Sequence, residues 1–87
     1  MSKGDWMKEL IFYTRRRCGL CEEAKRTINL LRDDFPFKLI ERDIEERDEW
    51  TERFGLMIPV VEMDGEILQY GQIDLFTISK RLHEKTR

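Results

Sequence analysis

Cysteine, proline and histidine are scarce in this chain: its 87 residues hold two cysteines, two prolines and one histidine. A structural zinc site needs four ligands. Cys18, Cys21 and His83 fall short of that, so metal binding would need a second chain or an outside thiol. No apolar stretch approaches the roughly 20 residues of a membrane span. An excess of one charge sign is missing too. Sixteen Lys and Arg stand against eighteen Asp and Glu, a net charge of -2, which argues against the basic surface of a nucleic-acid binder. The amino end, MSKGDWMKEL, has neither an apolar signal core nor a small-residue cleavage site, so the expected location is cytoplasmic. A purely structural disulfide is rare in that reducing compartment. No internal repeat, linker or low-complexity stretch breaks the chain.

What is present suffices for one core. Hydrophobic residues make up 40% and charged residues 39%, enough for a single domain over residues 1–87, with 1–7 as a short N-terminal extension. LIFYT (Leu10 to Thr14) reads as a strand buried on both faces. A helical stripe follows, in which Leu20, Ala24, Ile28, Leu31 and Phe35 recur every three or four residues until Pro36 stops it. FKLIER (Phe37 to Arg42) makes a second strand. A second helix falls within Ile44 to Phe54, with Trp50 and Phe54 inward and Gly55 as its C-cap. IPVVEM and EILQY flank Asp64-Gly65, a two-residue hairpin turn. A last helix carries Leu75, Ile78 and Leu82 on one face, with Phe76 beside them. The order β-α-β-α-β-β-α, with a right-handed first crossover, predicts an α/β fold: a four-stranded mixed sheet with helices on both faces.

The two cysteines sit three positions apart at the junction of the first strand and first helix. Cys18 falls among unpaired N–H groups at the positive end of the helix dipole, with Arg15, Arg16 and Arg17 just before it. Such surroundings favour the thiolate, which is the nucleophile. The arginines have a plainer reading as an exposed basic loop. Cys21 is in phase with Ala24, Ile28 and Leu31, which turns its sulfur inward. That phase divides the labour: Cys18 exposed and attacking, Cys21 shielded and resolving the mixed disulfide.

LIFYT, CGLC, GLMIPVVEMDGEIL and YGQIDL together resemble the glutaredoxin branch of the thioredoxin fold, over nearly the whole chain. The resemblance implies thiol–disulfide exchange through Cys18 and Cys21. It further implies a cis Pro59, which leaves the backbone of Ile58 to pair with an extended substrate. Glutaredoxins usually carry Cys-Pro-Tyr-Cys and Thr-Val-Pro; here Gly19-Leu20 and Met57-Ile58 replace them. Their glutathione site uses a Gly-Gly pair and a polar-acidic pair at the last helix. This chain keeps Gly71 and Asp74 but has Ile73 at the polar position. Arg15 to Arg17 are candidates for the glycine carboxylate of glutathione and Asp74 for its amine.

The expectation is therefore a monomeric cytoplasmic thiol–disulfide oxidoreductase acting on protein or small-molecule disulfides. It needs no cofactor or resident metal, and a cellular thiol reduces it, with glutathione fitting poorly. Neither nucleic acid nor membrane is an expected partner. Two other classes compete with this one. One is an iron–sulfur cluster or metal carrier in which Cys18 and an external thiol hold the cluster. The other is a non-catalytic binding module whose contacts are Trp6, Trp50 or Tyr70.

Overall fold

The computed structural model describes residues 8–86. Four strands and three helices follow in the expected order: β1 (Lys8–Thr14), α1 (Gly19–Leu31), β2 (Phe37–Asp43), α2 (Asp48–Phe54), β3 (Val60–Met63), β4 (Glu66–Tyr70) and α3 (Leu75–Thr86). The sheet order is β2-β1-β3-β4. β1 and β2 run parallel, while β3 is antiparallel to both β1 and β4. The extension expected at residues 1–7, and Trp6 within it, lie outside the described residues.

Strand alternation splits the core in two. Leu10 and Phe12 of β1 join Val61 and Met63 of β3 on one face, against Cys21, Ala24, Ile28 and Leu31 of α1 and Ile78 and Leu82 of α3. Tyr13 and Val60 point to the other face, where Ile44 and Phe54 cover them. The helices thus lie on both faces of the sheet.

Several element ends differ from the sequence expectation. α1 stops at Leu31 rather than running on to Phe35, and the N–H groups of Asp34 and Phe35 both turn back to the Leu31 carbonyl at 3.1 Å. Asp33 and Asp34 would oppose the negative end of the helix dipole, and Pro36 disfavours helical backbone at the residue before it. Phe35 still packs on the core from the turn. The second helix is split. A 3₁₀ turn, Ile44–Glu46, is capped by Asp43, whose carboxylate accepts the Glu45 N–H at 2.9 Å; α2 begins only after Arg47, in extended backbone. Gly55 does follow α2, but with φ −54° it is not a left-handed cap. Glycine is needed there because a Cβ would come within 2.5 Å of the Thr51 carbonyl oxygen.

Asp64 and Gly65 have φ of 56° and 77°, the paired positive values of a type I′ turn. In α3, Ile78 and Leu82 are fully buried, yet Leu75 and Phe76 face outward. Ile73, just before the helix, fills the core position that Leu75 was expected to take.

Candidate active site

The strand register gathers the predicted residues at one end of the sheet. Tyr13 pairs with Val60, and Val60 with Tyr70. The end of β1 leading to Cys18, the start of β3 after Pro59 and the end of β4 leading to Asp74 therefore leave the sheet side by side.

Cys18 is the N-cap of α1, with extended backbone (φ −119°, ψ 107°), and its Sγ accepts the Cys21 N–H at 3.2 Å. The two cysteines form a disulfide with Cα atoms 5.1 Å apart. Cys21 is 2% exposed within the core, whereas Cys18 is only half-buried. Gly19 and Leu20 between them are exposed. The sulfurs are thus unequal in access, and the more open one rests against a helix amide.

Arg15, Arg16 and Arg17 are all exposed. They border an open recess of about 420 Å³, closed on its other sides by the first turns of α1 and the end of β2. Glu22, Glu41, Asp43 and Glu46 line the same recess together with Lys25, which pairs with Glu41 at 3.3 Å, and Arg16 Nε lies 3.8 Å from Asp43 Oδ2. Carboxylates therefore offset much of the positive charge that the arginines bring to this end of the molecule. The sequence order alone did not place Glu41 and Asp43 here, since β2 reaches the site only through the parallel crossover.

The Ile58–Pro59 peptide bond is cis. Pro59 is buried and Ile58 half-buried, packed against both cores. The backbone of Ile58 is less free than expected: its N–H is donated to the Phe54 carbonyl at 3.1 Å. The Gly71 N–H is shared between the carbonyls of Met57 and Pro59, each at 2.9 Å, which fastens the Pro59 loop to the end of β4.

Asp74 precedes α3 and caps it. One carboxylate oxygen accepts the Thr77 N–H at 2.8 Å and the other accepts the Gln69 side-chain amide at 2.8 Å. The Thr77 amide foremost, then the Gln69 side chain, hold the Asp74 carboxyl below its ordinary range. Gln69 also accepts the Asp74 N–H at 3.0 Å. Ile73 is buried in the core.

One group escaped sequence reasoning. Glu62, within VVEM, is 6% exposed; Tyr13 donates its hydroxyl to it at 3.4 Å and in turn accepts from Arg42 at 3.0 Å. The sole hint was an acid inside an apolar strand. The Arg42 and Arg47 guanidinium groups both lie over the Trp50 ring, 5.1 and 5.3 Å from its centre. Trp50 is engaged within the fold, whereas Tyr70 is exposed. Among the described residues no group of three or more His, Cys, Asp or Glu side chains is placed to hold a metal ion, and no helix is long and apolar enough to cross a membrane.

The model of the glutaredoxin-like domain family (DUF836) matches residues 9–84. The chain belongs to this family. Solved structures of thioredoxin-like fold resemble this glutaredoxin-like chain closely in shape. Protein Ne2328 from Nitrosomonas europaea, solved in solution, is 24% identical with a TM-score of 0.76, over 94% of this chain and 99% of that one. A mutant thioredoxin from Halobacterium salinarum is 19% identical with a TM-score of 0.72, over 95% and 78%. A Staphylococcus aureus protein described as of unknown function is 18% identical with a TM-score of 0.69, over 91% of each chain. At these identities the likeness concerns the fold. A glutaredoxin-like chain of thioredoxin fold with a C-x-x-C pair points to thiol–disulfide redox chemistry.

Proposed function

We propose that this chain is a dithiol oxidoreductase that reduces disulfides through Cys18 and Cys21. The observation that carries this reading is the unequal pair: a half-buried sulfur capping a helix, bonded to a buried one. In the reduced protein the Cys18 thiolate attacks one sulfur of the substrate disulfide. A Cys18–substrate bond forms, and the other substrate sulfur leaves as a thiolate that takes a proton. Cys21 gives up its proton and attacks Cys18 Sγ, and the second substrate sulfur leaves in the same way. The substrate gains two electrons and two protons, and the Cys18–Cys21 disulfide remains, to be reduced by two equivalents of an external thiol. Ile58, Pro59, Arg15 and Asp74 border this exchange as substrate-binding positions, with the carbonyl side of Ile58 as its available backbone group. No resident cofactor or metal enters these steps.

The test is a trapping experiment with single cysteine variants. Cys21→Ser should form one stable mixed disulfide with a disulfide-bearing substrate, seen by mass spectrometry of the intact protein. Cys18→Ser should form none and should lose all reductase activity. Equal trapping by the two variants would overturn the assignment. A coloured, iron-containing protein after anaerobic purification, without reductase activity, would favour the cluster carrier instead.

A further inference from the structure

In the exchange reading, on which this inference rests, Cys21 must lose its proton before it attacks Cys18. Cys21 belongs to the core cluster with Ala24, Ile28 and Leu31, and burial among apolar side chains disfavours a thiolate. One side of it is nevertheless open to charge, because Cys21 also lines the recess that the arginines border. Lys25 stands out among the charged groups there. It follows Cys21 by four residues on α1, which makes the two side chains neighbours on one helix face, and both line the recess. Its ammonium pairs with Glu41 Oε1 at 3.3 Å. Glu41 is opposite Phe12 in the parallel register, so it shares the sheet face that α1 covers. Of the other charges, Arg16 already faces Asp43. Glu22 is exposed on α1. Arg15 and Arg17 border the recess from the loop, and Glu46 from the 3₁₀ turn.

We propose that Lys25 is a positioning residue for the resolving step: its charge favours the Cys21 thiolate across the recess, and Glu41 restrains that charge. Cys21 releases its proton to solvent in the recess, and its thiolate forms the bond to Cys18 Sγ. The Cys18–substrate bond breaks, and its electron pair leaves on the substrate sulfur, which takes up a proton. A cation beside a thiol favours the ionised form and an anion opposes it. The two halves of one ion pair therefore act on Cys21 in opposite directions. An exposed ion pair that merely clipped α1 to β2 would contribute little to stability, and that little would be lost whichever half were removed.

The experiment mixes the reduced protein with a limiting amount of dithiodipyridine, an uncharged disulfide that releases a coloured thione at each exchange step, and records both releases against pH by stopped flow. The first release reports attack by Cys18 and the second attack by Cys21; Cys21→Ser should give the first alone. In the native protein the second rate should rise with pH through a midpoint set by Cys21. Lys25→Gln should raise that midpoint by about half a pH unit, a moderate effect because water screens an exposed charge. Glu41→Gln should lower it, and Lys25→Arg should keep the native value. The midpoint of the first release should stay in place in all three variants. An unmoved second midpoint in Lys25→Gln, shifts of the same direction in Lys25→Gln and Glu41→Gln, or an equal shift of both releases would overturn the proposal and leave exchange standing. If the native protein never gives the second release, the exchange reading itself falls and takes this inference with it.

Discussion

A thiolate at Cys18 would sit where backbone N–H groups at the start of α1 point outward, and one of them, from Cys21, already reaches its sulfur at 3.2 Å. Three arginines and Lys25 stand nearby, but Glu22, Glu41, Asp43 and Glu46 share their recess. Exposed charges of both signs within a Debye length largely cancel, whereas the helix amides are fixed and adjacent. Thiolate ultraviolet absorbance of the reduced protein, followed against pH, should therefore show a midpoint below the free-cysteine value of about 8.5. Replacing Arg15, Arg16 and Arg17 together by glutamine should move that midpoint only slightly. A midpoint at or above the free value would remove the activation argument. A large rise in the triple variant would assign it to the arginines instead.

α3 shows how a single cap sets an element. Asp74 closes the helix start with the Thr77 N–H and is braced by Gln69. Because these donors hold its carboxyl below the ordinary value of 3.8, the folded state prefers the ionised form. The stability this adds is fully present above the ordinary value and is lost as pH falls through the lower folded one. Asp64 and Glu66 are lowered in the same direction by Lys8 and Lys85, so the melting temperature alone would mix three groups. The difference in melting temperature between native protein and Asp74→Ala isolates one. It should be constant from pH 7 to about pH 5 and shrink below pH 4. A difference that persists unchanged to pH 2 would show that the cap acts without its charge.

Glutathione recognition is a property of the whole molecule, because its two charged ends would have to meet groups from different elements. The loop before α1 offers Arg15 to Arg17, of which Arg16 already lies 3.8 Å from Asp43 of β2. The start of α3 offers Asp74, whose oxygens serve the cap, and Ile73, which belongs to the core. A missing hydrogen bond to a charged group weakens binding by roughly 1.5–3 kcal/mol, or about ten- to a hundred-fold. Turnover coupled to glutathione and its reductase should therefore be weak and far from saturation, while turnover driven by dithiothreitol is retained. Strong, saturable turnover at low glutathione would show that the backbone and Asp74 suffice.

Local physics made much of this protein legible in its sequence. Strand and helix periods, the Asp64-Gly65 turn and the C-x-x-C spacing at a strand–helix junction determined the order of elements and the unequal access of the two cysteines, because each depends on neighbours within a few residues. Element ends were less legible: α1 stops at Leu31 because Asp33, Asp34 and Pro36 outweigh an apolar period that continues to Phe35. What only the tertiary structure decided involves groups far apart in the chain. Asp43 meets Arg16, and Glu41 meets Lys25, through the parallel crossover; the Ile58 N–H goes to Phe54, and Ile73 displaces Leu75 from the core. The burial of Glu62 with Tyr13 and Arg42 is of the same kind. Periodicity reports which face of an element is apolar; which partner covers that face, and which polar group is trapped beneath it, is fixed only when the sheet and helices pack.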